Sequence, residues 1–548
     1  MGRDMGDCGQ MGKIKYRALS FLATLLRNQA GNTLAIMAIA LIPLAGMIGG
    51  GLDMSRGYLA KTRLQNACDA GVLAGRKVMA TKGVIDDAVR TEVRKYTTFN
   101  FPTGYLGTNL VATDINPTLG ANEQIDLSLS ATVPTAVMQL FGKNSISVTA
   151  TCSARNDYTN IDIMLVLDTT GSMACTPSMN TSECSTYANA NKVVSNLPLI
   201  GKSLEYIVEN SGGSRMAGLR TALSTMQSQM ATIESQMNLS DASKRKRVRW
   251  AIVPFSQMVN AGFSTDAAGT KLYDRQPTWF NTSGYYIPRS CSWFGGNCYP
   301  VDHDSNWLNN TWDGCVEEQS TSNNITSTSS TIPSTAYDML YDTIPSSTAT
   351  RWLVADPDAA VGQYACPKAM SEFKQMNATD FNNYFTAERG FVANGGTYLD
   401  LGLLWAARLL SRSGNWASNN PTSYNTFPVS RYLIFMTDGN MDTGNSGYGA
   451  YNRESVWKRV TTNGAISSSN ANHTARMLLT CNAIKNMGVK IYTISFSLGS
   501  DLSDDLIDCS SSTNSTSPEF AYKADSSNQL NTVFRNIGEN IGSLRLSR

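Results

Sequence analysis

The stretch Ile161-Asp162-Ile163-Met164-Leu165-Val166-Leu167-Asp168-Thr169-Thr170-Gly171-Ser172-Met173 decides the fold. Its apolar run stops abruptly at an acid, and hydroxyl residues follow around a glycine. A near-continuous apolar run marks a strand buried on both faces of a parallel sheet. Ligands of such sheets gather at the carboxyl ends of the strands, where Asp168, Thr170 and Ser172 would stand. An acid and two hydroxyls at alternate positions are hard oxygen donors, suited to Mg2+, Mn2+ or Ca2+.

Outward from this strand the pattern alternates. Val248 to Phe255 reads as a second strand, with Pro254 marking an edge or a bend. Asn394-Gly395-Gly396-Thr397 precedes a helical run from Tyr398 to Leu410, and Arg431 to Gly439 is another apolar strand ending in an acid, Asp438. Val489 to Phe496 and an amphipathic helix, Asn528 to Ile541, complete an α/β pattern. The fold class expected is α/β, a doubly wound, mostly parallel sheet. About 140 residues separate Phe255 from Thr397, far beyond an ordinary connection. They imply an insertion at about 257–390, rich in Ser, Thr, Asn, Trp and Tyr. The insertion includes the low-complexity piece Gln319 to Thr331 and reads as partly ordered, with a disordered loop within it. Both of its ends should lie at the carboxyl edge of the sheet, so the insertion is expected to cover the site partly.

With Thr397 and Asp438 added, Asp168-x-Thr170-x-Ser172 resembles the metal-ion-dependent adhesion site of von Willebrand factor A domains. The resemblance implies that Thr170, Ser172 and Thr397 coordinate a divalent cation, Mg2+ or else Mn2+ or Ca2+, while Asp168 and Asp438 act chiefly through waters. The cation's open position would take a carboxylate from a protein partner, with no small-molecule substrate. That is a binding module, not an enzyme. A rival resemblance, to the phosphorylated-aspartate loop of P-type ATPases and phosphatases, would make Asp168 a nucleophile. It leaves Gly395-Gly396-Thr397 without a role.

Composition narrows the classes. A chain of 548 residues accommodates two or three domains, and a net charge of +2 gives no electrostatic case for nucleic acid. The run Lys244-Arg245-Lys246-Arg247-x-Arg249 reads as a solvated entry to the next strand. Only His303 and His473 are present, which argues against a histidine-based zinc or triad site. Of eleven cysteines, Cys8 lies before the first apolar segment and ten lie beyond it, a parity that suits disulfides in an exported chain. Local spacing suggests Cys175 with Cys184 and Cys481 with Cys509. Cys291, Cys298, Cys315 and Cys366 would pair within the insertion.

Residues 1–32 carry Lys13, Lys15, Arg17 and Arg27, and residues 33–52 then contain no charge. About 20 residues at about 1.5 Å each cross a hydrocarbon core of about 30 Å. The upstream basic residues imply a cytoplasmic amino terminus and an exported remainder. A cleaved signal peptide is the rival, but the apolar run is longer than one and helical sequence continues from Tyr58 to Val78. Leu64, Cys68 and Val72 share a face of that helix, and two alternating strands follow, around Ile125–Leu129 and Ile146–Cys152.

The stretch from Gly31-Asn32-Thr33-Leu34-Ala35 to Leu64-Gln65-Asn66-Ala67-Cys68-Asp69-Ala70 resembles the amino-terminal segment of TadG-like proteins of tight-adherence (Flp) pilus machineries. The carboxyl end, Ala524-Asp525-Ser526-Ser527 to Leu546, is similar to that family as well. The resemblance implies a small pilin-like α+β domain at 53–155, after a transmembrane helix at 33–52, and an A domain at 156–548. It also implies a single-pass protein of the bacterial inner membrane, largely periplasmic, that assembles or anchors Flp pili through pilus assembly components or minor pilins. An A-domain adhesion or chaperone protein unrelated to pili is the alternative. Ile36, not glutamate, stands five residues after Gly31, so prepilin cleavage is not expected. In the TadG-like pattern small residues are usual at Cys68 and Cys152. Both cysteines are expected on inward faces, which makes a bridge between them the expectation.

Overall fold

A computed structural model describes residues 32–79, 85–120, 124–154, 159–197, 202–237, 245–285, 300–357, 364–425, 427–444, 447–497 and 502–542. The basic amino-terminal residues, Cys291, Cys298 and the last six residues lie outside this set. Two compact units form, one from residues 1–157 and 544–548, the other from residues 158–543.

In the first unit, helix α1 runs from Asn32 to Met79 and carries Pro43 within it. Its 48 residues span about 72 Å. Ile36, Met37, Ile39, Leu41 and Ile42 all point outward, and this is the described helix long and apolar enough to cross a membrane. Further along, Ala60, Leu64, Ala67, Cys68 and Val72 are fully buried. Helix α2, Asp87–Asn100, is capped by Asp86, which accepts from Val89 N at 3.0 Å. It approaches α1 closely at two glycines. A Cβ at Gly71 would lie 2.1 Å from Thr97 Oγ1, and one at Gly75 would lie 2.3 Å from Val93 Cγ2.

Strands β1, Ile125–Pro134, and β2, Ser145–Ala154, pair antiparallel, with Leu127 opposite Cys152 and Leu129 opposite Ala150. The inward residues Ile125, Leu127, Leu129, Ala131 and Val133 close the core over α1. Cys68 and Cys152 are joined, with Cα atoms 5.9 Å apart, as their helix and strand faces lead one to expect.

The second unit is a mixed α/β structure around a mostly parallel sheet. Its elements are β3 (Asn160–Asp168), α3 (Arg215–Met237), β4 (Val248–Phe255), β5 (Ser371–Lys374), α4 (Leu399–Leu410), β6 (Phe427–Thr437), α5 (Ile466–Asn486), β7 (Lys490–Phe496), β8 (Ala521–Ala524) and α6 (Ser527–Ile541). The strand order is β5-β4-β3-β6-β7-β8, and the β5–β4 pair alone on this path is antiparallel. All nine residues of β3 are buried because both sheet faces are covered. Met164 and Val166 join a core with α4 and α5, whereas Ile163, Leu165 and Leu167 join another with α3 and α6.

Three local expectations need correction. Strand β4 is not at the edge, because β5 pairs with it at Trp250 and Ile252. Pro254 fits because those rungs have already ended. The Phe255 carbonyl faces β3, accepting from Thr169 N at 3.0 Å, so Pro254 turns its backbone to the other side. The basic run is not uniformly solvated either. Arg249 is buried, donating to both carboxylate oxygens of Asp162 at 2.8 and 2.6 Å.

The third correction concerns the insertion. Its Leu272, Trp312, Val316, Trp352 and Phe373 belong to the same core as Trp405 on α4. Ile325, inside the low-complexity piece, is fully buried, so that piece is ordered by packing. Buried ion pairs add to the attachment: Arg408 on α4 donates to Glu318 at 2.7 Å, and Arg476 on α5 pairs with Asp338. Further disulfides join Cys175–Cys184, Cys315–Cys366 and Cys481–Cys509.

Candidate metal centre

Strand β3 delivers Asp168 to the carboxyl edge of the sheet, fully buried. The chain then leaves the sheet at Thr169, whose N and Oγ1 both donate to Phe255 O at 3.0 and 2.9 Å. A single 3-10 turn, Gly171–Ala174, follows and brings Thr170 and Ser172 to one side, their hydroxyls 3.1 Å apart. The Cys175–Cys184 bridge then ties the end of that turn to the next helix.

Two other loops converge on this turn. Gly395, with φ of +85°, accepts from Gly171 N at 3.1 Å, a backbone conformation that favours glycine. Gln257 Oε1 accepts from Gly396 N at 3.0 Å and holds that loop from below. Thr397 is then pinned by reciprocal backbone bonds to Asp442, at 2.8 and 3.0 Å, and its hydroxyl lies against Gly439. The third loop is the end of β6. Thr437 Oγ1 donates to Asp168 Oδ2 at 2.7 Å, and Asp438 Oδ1 accepts from Ser172 Oγ at 2.8 Å.

Asp168, Thr170, Ser172 and Asp438 thus form one hydrogen-bonded set, and Thr397 lines the same open cavity of about 780 Å³. No residue of 257–390 is among the described lining residues. Among the described residues, then, the expected partial cover of the site by the insertion is not seen. Its Gln257 supports the site from behind, while Pro177 to Lys192 form the wall.

Both oxygens of Asp168 already accept from the protein, from Thr170 N at 2.8 Å and from Thr437. Burial, and then the neighbouring Asp438 charge, push the Asp168 carboxyl up to about 7. Burial raises Asp438 as well, against the pull of Arg215. Arg215 Nη1 donates to Asp438 Oδ2 at 2.8 Å, and both side chains are buried. Two buried carboxylates therefore stand together, Asp438 paired with the guanidinium and Asp168 held by Thr170 and Thr437, with hydroxyl oxygens beside them. This all-oxygen donor set fits a hard divalent cation. Arg215, Thr437 and Gln257 had no sequence signal, because each acts through a partner far away in the chain.

Residues 31–81 match the Tad family model, described as "Putative Flp pilus-assembly TadE/G-like". No curated protein matches the chain. Among solved structures, the pilus adhesin SpaC from Lactobacillus rhamnosus GG is 12% identical at a TM-score of 0.32, covering 78% of this chain and 34% of that one. This chain thus spans about a third of SpaC's length. The vWF domain of the type V pili tip protein Mfa5 from Porphyromonas gingivalis is 11% identical, with a TM-score of 0.29, over 70% of this chain and 95% of that one. Proximal thread matrix protein 1 from the mussel byssus, solved with a zinc-occupied MIDAS motif, is 12% identical, with a TM-score of 0.25, over 72% and 49%. Residues 31–81 are thus similar to the TadE/G-like segment of Flp pilus-assembly proteins.

Proposed function

We propose that this is a TadG-like protein of the bacterial inner membrane, anchored by residues 33–52 with its amino terminus cytoplasmic. Residues 53–155 then form a pilin-like domain, and residues 156–548 a doubly wound von Willebrand factor A domain with an insertion at about 257–390, both periplasmic. The A domain binds a protein partner through a metal-ion-dependent adhesion site and so assembles or anchors Flp pili. The observation that carries this reading is the convergence of Asp168, Thr170, Ser172 and Asp438 at the carboxyl edge of a parallel sheet, in a chain with a TadE/G-like amino-terminal segment.

Thr170, Ser172 and Thr397 would bind Mg2+ or Mn2+ directly, and Asp168 and Asp438 would act from behind. With little direct negative charge on it, the bound cation stays electrophilic and accepts a partner's carboxylate. A nucleophilic role for Asp168 is disfavoured, because both its oxygens are engaged and the residue is fully buried. The presence of Arg215 favours a second reading, in which the guanidinium replaces the metal and the loops are held without it.

The test has two arms. Protease added to spheroplasts should digest everything beyond Asp53, and protection of the A domain would overturn the topology. A photo-crosslinker at Asn440, on the cavity wall, should capture a pilus component in Mn2+ and lose it in EDTA. Equal capture in both would overturn metal-dependent binding.

A further inference from the structure

The β1–β2 hairpin tip, residues 136–143, carries an arrangement that the adhesion site does not use. Asp53, the first charged residue after the uncharged run, turns its carboxylate to the hairpin. Oδ1 accepts from Ala136 N at 2.7 Å, and Oδ2 accepts from Val137 N at 3.0 Å and Met138 N at 2.8 Å. The hairpin does not stop there but continues along α1 towards its amino terminus. A Cβ at Gly49 would lie 2.3 Å from Val137 Cγ1, so the helix offers glycine where the hairpin crosses it. One turn further, the Phe141 ring lies 3.6 Å from the Cβ position of Gly46. From Asp53 to Gly46 is about 10 Å along the helix, all of it beside the uncharged run.

At its end the tip exposes Leu140 at 81% and Phe141 at 45%. Apolar side chains left this open on a loop ask for a cover. The backbone of the loop says which kind. Leu140 N donates to Val137 O, Gly142 N to Gln139 O, Lys143 N to Met138 O and Thr135 N to Asn144 O, all at 3.0–3.1 Å. Together with the three amides on Asp53, most of the loop's donors are satisfied within the unit. A loop that enters a lipid interface must meet this condition, since acyl chains offer no hydrogen-bond partner. Lys143, exposed beside the tip, can keep its ammonium in the headgroup layer.

We infer that the 136–143 tip is a second membrane contact, a wedge that inserts Leu140 and Phe141 into the leaflet facing the folded units, beside the anchor helix. This rests on the reading of residues 33–52 as a membrane anchor. The occupant is lipid because the tip is continuous with the exposed apolar face of α1 at Gly46. The wedge and Asp53 fix the height and rotation of the pilin-like domain on the bilayer.

Benzoylphenylalanine placed singly at Ile42, Leu140 and Leu119 in the full chain, reconstituted in phosphatidylethanolamine–phosphatidylglycerol nanodiscs, tests this. Leu119 is 53% exposed and apolar, but pairs with Ile125 at the far end of the sheet, next to Gly75. Mass spectrometry after irradiation should find phospholipid adducts at positions 42 and 140, and at least tenfold fewer at 119. Adducts at 42 but not at 140 would overturn the wedge while leaving the anchor standing. Protein adducts in place of lipid at 140 would overturn it too. Absence of lipid at 42 would overturn the anchor reading itself, and the wedge with it.

Discussion

Replacing Arg215 with Met isolates the electrostatics of the site. The guanidinium donates to Asp438 Oδ2 at 2.8 Å, with 5% and 0% of the two side chains exposed. Removing one partner of a buried pair costs about 3–5 kcal/mol, because the remaining charge is left in a poorly polarisable setting. An independent figure agrees: unit charges about 4 Å apart at an effective dielectric constant of about 20 attract by about 4 kcal/mol. Asp168 adds a second carboxylate nearby, so the loss should not fall below this range in the absence of metal. A large unit loses about 1–2 °C of Tm per kcal/mol, which makes the expected fall about 5 °C in EDTA. Saturating Mn2+ supplies the missing positive charge, so it should raise the Tm of the variant more than that of the parent. Scanning fluorimetry of the full chain in detergent measures both shifts. A variant within 1 °C of the parent in EDTA, or equal Mn2+ shifts in the two, would refute the reasoning.

Other consequences follow from the same geometry. Asp168 is held near 7, above an aspartate's ordinary 3.8, so the metal-free folded state binds its proton more tightly than the unfolded chain. That stability is full below about pH 4 and is lost as pH rises through about 7. Denaturant midpoints in EDTA should therefore decline between pH 5 and pH 8, and Asp168→Asn should flatten the decline. An unchanged slope would contradict it. Breaking the Cys68–Cys152 bridge, which closes a loop of 84 residues, should cost about 4 kcal/mol in the first unit. Non-reducing peptide mapping that found Cys68 unlinked would dispose of this. Deleting residues 257–390 should abolish the fold of the second unit, because Trp312, Trp352 and Phe373 complete the core under α4. A soluble, cooperatively unfolding deletion would show the insertion to be peripheral after all.

The legible parts of this chain were those with local signatures. Strand β3 announces itself because a strand covered on both faces must be apolar at every position, and Asp168 marks where that cover ends. Asp438 ends β6 in the same way, and Gly395 marks a turn with positive φ where an added Cβ would lie 2.6 Å from Ala365. What escaped was pairing across distance. Arg249 stands in a basic run that looks solvated, yet the strand register sets it against Asp162, 87 residues earlier. Arg215 begins a helix, where a cation has no local purpose, and its meaning comes from distant partners, Asp438 above all. The insertion misled by composition. Its serines and threonines suggest disorder, while a few tryptophans at irregular spacing bury it against α4.

The central claim is that five oxygen-bearing residues on three loops hold a divalent cation, and isothermal titration tests it most directly. The full chain in detergent, stripped with EDTA and dialysed, should take up one Mg2+ or Mn2+. Asp168→Ala and Asp438→Ala should each abolish that heat while the far-ultraviolet circular dichroism is retained. Heats unchanged in both variants, or no cation uptake by the parent chain, would contradict the account.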